Sequence, residues 1–397
     1  MLGAIYTGLS GLNAFSRGLQ TISNNVANLN TLGFKATEAS FADVYTYGGG
    51  GLTFFDGADN ASVGNGVRFG EAHVDFGQGD LRQSEGDLDL AIQGGGFLVL
   101  LNNGKTYYTR TGQFAVDKDG YISLQENKDF RLGILDGAGR AQALNIDDRR
   151  TNPPKATTTV KLAGNLSSSA TTSSVADLAV YDSLGGKQTW TAKFDKVTTG
   201  LNEWTVTVSD QAGATVGTAT LKFIGSTVDP STTLLTMSAA PAGADPLEVI
   251  FDFSSGVTSF SAGSTSTLRA ASVDGNAVGS LTSVTVNTEG KVVLAYSNAK
   301  TETLAAIALA DFRDPQQLRR ISGGMFVNDG NGESRVLSSE ADGIGRLLSK
   351  QLEASNTDLS QQFGELILIQ RGFQASSQVV SVTNDMIQQL FGIRGQG

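Results

Sequence analysis

Apolar residues recur every seventh position at both ends of this chain and every second position through much of its middle. Near the start, Ile5, Leu12, Leu19 and Val26 fall seven apart, and Phe15, Ile22 and Leu29 sit three residues behind the last three. Near the end, Leu359, Leu366, Phe373, Val380 and Ile387 repeat the spacing, with Ile369 and Leu390 on the same stripe. Such spacing lines one narrow seam of an α-helix, the seam that coiled coils pack together. It predicts one helix from about Leu2 to Asn28 and a second running to about Phe391. Ser355, Asn356, Thr357 and Asp358 offer capping groups before the second, and an acid at Asp358 suits the positive end of its dipole.

The middle reads as strands. Phe97–Leu101 and Thr106–Arg110 flank Asn102-Asn103-Gly104-Lys105, and Phe114–Val116 and Tyr121–Leu124 flank Asp117-Lys118-Asp119-Gly120, which are two hairpin signals. Further on, Leu178–Tyr181, Gln188–Phe194, Glu203–Val208, Thr218–Ile224 and Leu247–Phe253 are short and regularly spaced, as in a small sandwich or barrel. Ser283–Asn287 and Val292–Tyr296 read as strands returning to the first β-domain, followed by a short helical stretch near Leu304–Leu309.

Breakers divide the chain. Asn30-Thr31-Leu32-Gly33 stops the first helix, Gly48–Gly51 is too glycine-rich to hold a core, and Pro153-Pro154 interrupts both kinds of secondary structure. The expected fold is multi-domain α+β and nested. Terminal helices over 1–30 and 355–397 form a paired, coiled-coil-like domain, joined by an extended connector, 31–70 with 325–354. An inner β-domain comprises 71–152 with 272–324, and an outer β-domain 153–271.

Charge changes the picture of the ends. The first helix has one charged residue, Arg17; Thr7, Ser10, Asn13, Ser16 and several Asn and Gln fill the face where a solvated helix carries Lys and Glu. Gly3, Gly8, Gly11 and Gly18 each cost about 1 kcal/mol relative to Ala in a helix interior, so this helix is marginal alone. Small neutral side chains permit close approach of other protein surfaces. Residues before about 30 and after about 355 are therefore expected to be disordered in a monomer and helical in an assembly.

The net charge of −10 argues against nucleic acid as a partner. With no cysteine, disulfide and thiolate chemistry are excluded. The N-terminus lacks the pattern of a cleaved secretory signal, and no apolar run approaches the roughly 18 residues of a membrane helix, so no membrane insertion is expected.

Candidate chemistry is sparse. From Asp117, the twelfth position of a calcium loop would be Lys128, which cannot ligate, so Asp117–Gly120 and Asn328–Glu333 read as tight turns. Gly94-Gly95-Gly96 lacks dinucleotide-binding spacing. His73 is the only histidine and, without cysteine, cannot build a common zinc site. Acidic pairs such as Glu85/Asp87 or Asp147/Asp148 occur, but nothing selects one as a hydrolytic dyad. No enzyme activity, cofactor or metal is expected.

Two long motifs carry a resemblance. Ser10-Gly11-Leu12-Asn13-Ala14 and the run Ile22-Ser23-Asn24-Asn25-Val26-Ala27-Asn28-Leu29-Asn30-Thr31-Leu32-Gly33-Phe34-Lys35 are similar to the N-terminal signature of bacterial flagellar rod and hook proteins. Leu352-Glu353-Ala354-Ser355-Asn356-Thr357-Asp358-Leu359-Ser360, then Gln370-Arg371-Gly372-Phe373-Gln374-Ala375, resemble their C-terminal signature, departing only at Gly372-Phe373. Gln93–Gly96 and Tyr107–Gly112 resemble the shared inner β-domain. Ala179-Val180-Tyr181-Asp182-Ser183-Leu184-Gly185-Gly186 resembles the opening of the outer domain that hook members have and distal rod members lack.

The resemblance implies a structural subunit of a curved, flexible helical tube that passes motor torque to the filament as a universal joint. It implies a homopolymer that meets the hook cap, distal rod and hook–filament junction proteins, delivered outside the cell by the flagellar export apparatus. The alternatives are a distal rod component and a secreted β-rich adhesin. Assembly residues are expected at Ile5, Leu12, Phe15, Leu19, Ile22, Val26, Asn28, Leu29, Leu359, Leu366, Ile369, Phe373, Val380, Ile387 and Leu390. Hinges are expected at Gly48, Gly49, Gly50, Gly51, Pro153 and Pro154, since rigid bodies in a bending tube need compliant joints.

Overall fold

The computed structural model describes residues 2–46, 63–198, 202–241, 243–330 and 333–394. The two long helices are α1 (Leu2–Ala27) and α2 (Leu359–Arg394), within a few residues of the ranges set by the heptad spacing. α1 stops where Asn28 folds its side-chain amide back onto the Asn24 carbonyl (2.8 Å) and Gly33 takes φ +64°, a conformation open to glycine at little cost. α2 begins at Asp358, whose Oδ1 accepts from the amides of Ser360 (2.7 Å) and Gln361 (3.2 Å). Asp358 alone does the capping; Asn356 is used elsewhere, as described below.

Two compact units divide the chain. The first comprises Met1–Asp147, Val284–Val293 and Thr303–Gly397; the second, Asp148–Ser283 and Leu294–Glu302. In the first, a sheet runs in the order 319–320, 325–327, 105–109, 97–102, 131–135, 122–124, 111–116, 89–93, 346–349, with 309–312 also beside 97–102. Both expected hairpins are present: Leu98 faces Thr109, and Ile122 faces Val116. An aromatic cluster centres on Phe97, with the Phe312 ring 5.6 Å, the Phe76 ring 5.7 Å and the Phe326 ring 5.8 Å away.

The helical stretch expected near Leu304–Leu309 is not formed. Thr301–Ala306 and Leu309–Phe312 are strands, and Leu309 and Ala310 pair with Leu98 and Phe97. Alanine has a high helix propensity, but propensity is a weak determinant, and here Ile307, Ala308, Leu309 and Ala310 are fully buried in the sheet, where packing overrides it.

In the second unit the strand order is 172–181, 187–196, 203–209, 215–224, 227–228, 257–258, 159–165, 247–252, 234–239, with 269–273 beside 159–165. All five strands expected there are present, and Thr159–Asn165 and Leu234–Ala239 join them. Pairing is antiparallel except where 159–165 lies parallel to 247–252 and 257–258. Inward-facing Trp190, Phe194, Trp204, Val206, Leu221, Phe251 and Phe253 make the core.

Candidate assembly surface

α1 and α2 lie against each other, and their contact is built from small residues. A Cβ on Gly8 would stand 2.6 Å from the Val380 side chain, one on Gly11 2.5 Å from Ser376 Oγ, and one on Gly18 2.8 Å from Ile369. From the other side, a Cβ on Gly372 would stand 2.6 Å from the Phe15 ring. The glycines that weaken α1 as an isolated helix are thus what lets α2 approach. Asn25, assigned from sequence to the polar face, is instead buried: its amide donates to Gln362 Oε1 (2.9 Å) and Thr37 O (2.8 Å), and its Oδ1 accepts from Thr37 N (3.0 Å). Asn25 and Gln362 went unrecognised as contact residues because a heptad count registers only apolar positions.

Among the described residues of α2, Gln362, Ile369 and Thr383 are buried, seven or fourteen apart; Ser376, next to Gly11, completes the row. The expected seam behaves unevenly. Ile22 and Ile369 are buried, whereas Ile5, Leu12, Phe15, Leu19, Val26, Asn28, Leu29, Leu366, Val380 and Ile387 are half-buried. Leu359, Phe373 and Leu390 are exposed. The apolar surface left open extends past the seam: Leu368 is 71% exposed and Phe391 69%, and Phe363, Ile367, Val379, Val382 and Met386 are also open to solvent. On α1 the corresponding residues are Tyr6, 70% exposed, and Leu9. In the 31–70 stretch, Phe41–Thr46 and Val63–Phe69 pair antiparallel and lie on α1, where Ser10 Oγ accepts from Val67 N (3.2 Å) and the Phe15 and Phe41 rings are 5.4 Å apart. These helices satisfy backbone and polar groups internally and leave large side chains in water, the reverse of an ordinary surface helix.

The expected hinges fall differently. Gly48, Gly49, Gly50 and Gly51 lie outside the described residues. Pro153 and Pro154 belong to the second unit and are closely held: Asn276 Nδ2 donates to Pro153 O (3.2 Å) and Asn152 Oδ1 (3.3 Å), and Lys155 and Asn276 exchange backbone hydrogen bonds of 3.0 Å. Nearby, Asp274 accepts from Thr158 N, Thr159 N, Thr158 Oγ1 and Lys155 Nζ. Burial works to raise the Asp274 pKa, but those donors outweigh it and bring it down to about 2.

Other positions singled out from sequence are structural. Asp117 Oδ1 accepts from the amides of Asp119 (2.9 Å) and Tyr121 (2.8 Å), closing a hairpin turn. Gly94 and Gly96 admit the 344–345 backbone and side chain: Cβ atoms there would lie 2.6 Å from Gly345 and 2.7 Å from Ile344. His73 is an exposed strand residue opposite Glu38. Among the described residues no group of three or more His, Cys, Asp or Glu is placed to hold a metal ion.

One buried cluster had no sequence signal beyond the places of its members inside the stretches that carry the resemblance. Glu353 Oε1 accepts from Lys35 Nζ (2.6 Å) and Gly79 N (2.8 Å), and Oε2 from Arg110 Nε (3.4 Å). Lys35 Nζ also donates to Gly77 O (2.7 Å), and the Arg110 guanidinium donates to the Gly94 and Gly96 carbonyls. Lys35 and Glu353 side chains are fully enclosed, and Arg110 nearly so. Burial lowers the pKa of both cations, with Glu353 pulling each back up. Asn356 completes the junction: its Oδ1 accepts from Ala36 N (2.7 Å), and its Nδ2 donates to Asp75 O (2.9 Å) and Gly77 O (3.1 Å).

The sequence matches four family profiles in chain order. They are described as flagella basal body rod protein (residues 5–35), flagellar hook protein FlgE/F/G D1 domain (91–152), flagellar basal body protein FlaE D2 domain (145–344) and flagellar basal body rod FlgEFG protein C-terminal (348–393). The flagellar hook protein FlgE of Brucella suis is 30% identical, covering 99% of this chain and 99% of its own. That of Treponema pallidum is 26% identical over 99% and 100%, and that of Escherichia coli K12 28% over 97% and 98%. The crystal structure of Helicobacter pylori flagellar hook protein FlgE2 superposes with a TM-score of 0.48 at 14% identity, covering 69% of this chain and 100% of that one.

Proposed function

This chain belongs to the flagellar hook protein FlgE family, and from that premise we propose that the side chains which α1 and α2 leave in water are the contacts by which copies polymerise into a curved, flexible tube. The protein is a structural subunit of the bacterial flagellar hook, serving motility, and the family is not one of enzymes. The distal rod reading is not favoured, because relatives matching end to end are hook proteins.

The observation that carries the assembly reading is the division of labour on α2. Gln362, Ile369, Gly372, Ser376 and Val380 lie toward α1, while Phe363, Ile367, Leu368, Val382, Met386 and Phe391 face water. Burying one such side chain is worth about 1.5–3 kcal/mol, so several on one helix favour association strongly. In this reading, residues 1–30 and 355–397 pair as a coiled-coil-like inner domain and share their apolar positions, including Ile5, Leu12, Leu359, Phe373 and Leu390, with neighbouring copies. Residues 31–70 with 325–354 connect it to an inner β-domain, 71–152 with 272–324, and an outer one, 153–271. Repeated head-to-tail contact that never closes gives an open helical tube. As the tube turns, subunits pass through compressed and stretched spacings, which requires compliant joints. The tube lies outside the cell, reached through the export apparatus, and meets cap, rod and junction proteins at its ends.

Electron microscopy of the purified chain tests this. The parent protein is expected to form curved tubes, and Leu368→Asp combined with Met386→Asp to form none while Trp190 and Trp204 remain buried by fluorescence. Amide exchange is expected to be fast in both terminal segments of dilute monomer and slow in the tube. Normal tubes from the double variant, or terminal segments protected at every dilution, would refute the proposal.

A further inference from the structure

We propose that Lys35, Arg110 and Glu353 form an asymmetric ionic latch: the segment leading into α2 docks without the segment leaving α1, but the latter cannot dock without the former. The cluster holds two cations and one anion, all shut off from water. Isolated charges in such a place are strongly disfavoured, and like charges facing each other more so.

The two withdrawals are not equivalent. If 351–356 leaves, Lys35 and Arg110 remain together with carbonyl acceptors but no carboxylate in contact; the attraction of Asp75 for Lys35 is the weakest of the influences on that amine. Arg110 is fixed by its turn and by the Gly94 and Gly96 carbonyls, so Lys35 must go and carry residues 33–36 with it. If 33–36 leaves instead, Arg110 and Glu353 persist as a one-to-one pair, with Gly79 N still on the carboxylate.

The backbone repeats the asymmetry independently. Gln351–Glu353 has its own partner strand, Leu81–Gln83, and Glu353 N donates to Thr111 Oγ1 (3.1 Å) while Ala354 N donates to Asp80 O (2.9 Å). The segment leaving α1 relies on the other segment: Gly33 N donates to Glu353 O (2.8 Å), Ala36 N to Asn356 Oδ1 (2.7 Å), and Phe34 O accepts from Asn356 N (3.2 Å). What remains to it otherwise is Arg320, which donates to Lys35 O and lies 4.6 Å over the Phe34 ring, the Ala36 carbonyl accepting from Asp75 N (2.8 Å), Lys35 Nζ on Gly77 O, the Asn25 amide on Thr37, and the short pairing of Thr37–Glu38 with His73–Val74.

Amide hydrogen exchange on the full chain tests the order. Glu353→Gln is expected to speed exchange at 33–36 by about tenfold or more, and Lys35→Met to leave 351–354 within about threefold of the parent. Lys35→Met combined with Glu353→Gln removes the facing cation and is expected to restore protection at 33–36 relative to Glu353→Gln alone, whereas a merely structural role makes the two losses add. The proposal is overturned if Glu353→Gln leaves 33–36 protected, or if Lys35→Met frees 351–354 as fully. Should Glu353→Gln prevent the first unit from folding, recovery in the double variant supports the latch and continued failure overturns it.

Discussion

The β-core of the second unit and the contact between α1 and α2 use side-chain size in opposite ways. In the second unit the largest apolar groups, Trp190, Phe194, Trp204, Phe251 and Phe253, are turned inward and enclosed. Between the helices the enclosed positions are mostly small, Gly8, Gly11 and Gly18 beside Ile22 and Ile369, while Tyr6, Leu9, Phe363, Ile367, Leu368 and Phe391 point away. Apolar burial is the dominant favourable term in folding, so the first region carries its stability within itself. The second gains close approach but little burial. A chain with both has one part that folds for its own sake and another that, on the assembly reading, gains its stability from neighbouring copies.

The largest expected effect separates the two regions by spectroscopy. Both tryptophans lie in the second core, so their fluorescence reports that unit alone. Phe251→Ala should lower its unfolding free energy by about 3–5 kcal/mol in a urea titration, leaving helix content before the transition unchanged. Next, Gly11→Val drives a side chain into Ser376 and should cost about 1–3 kcal/mol of helix docking, read as faster amide exchange in α1 and α2 of the assembled tube. The tryptophan transition should not move; if it does, the regions are not energetically separate.

Smaller effects sharpen the picture of the β-core. Trp204 Nε1 is buried without a hydrogen-bond partner, a cost that its removal relieves. Trp204→Phe should therefore change stability by about 1 kcal/mol or less, the cavity being offset by loss of the orphan donor, with Trp190 as the remaining reporter. Asp274 gives the mildest test. Its folded pKa of about 2 lies below the unfolded value, so its contribution is present above about pH 4 and fades as pH falls toward 2. Asp274→Asn should flatten that acid limb by lowering the transition near neutrality toward its value at low pH.

Much of this was legible in the sequence, and the rest was hidden for identifiable reasons. Heptad spacing placed both helices, and the Asn103-Gly104 and Asp119-Gly120 turns placed two hairpins, because these signals are local. The helix contact itself was only half legible. Counting apolar residues found Ile22 and Ile369 but missed Asn25 and Gln362, since what α1 needs at the contact is smallness and an amide partner. The stretch 304–309 was misread because its alanines favour a helix locally, and the buried sheet that overrides them is a tertiary feature. The Lys35–Arg110–Glu353 cluster could not be deduced from spacing: its members are brought together by the tertiary fold, and charge alone does not reveal a buried position.

The parallel pairing in the second unit has a consequence for how the molecule comes into being. Thr159–Asn165 sits between Leu247–Asp252 and Arg269–Val273, both far downstream, and Thr159 is opposite Ile250. A chain handed over from its N-terminus therefore exposes a bare strand edge until residue 252 has emerged, with the hairpins 172–196 and 203–224 free to form in the interval. Closing a loop of that length is entropically slow, and until it closes the unpaired groups of one seven-residue strand are open to other chains.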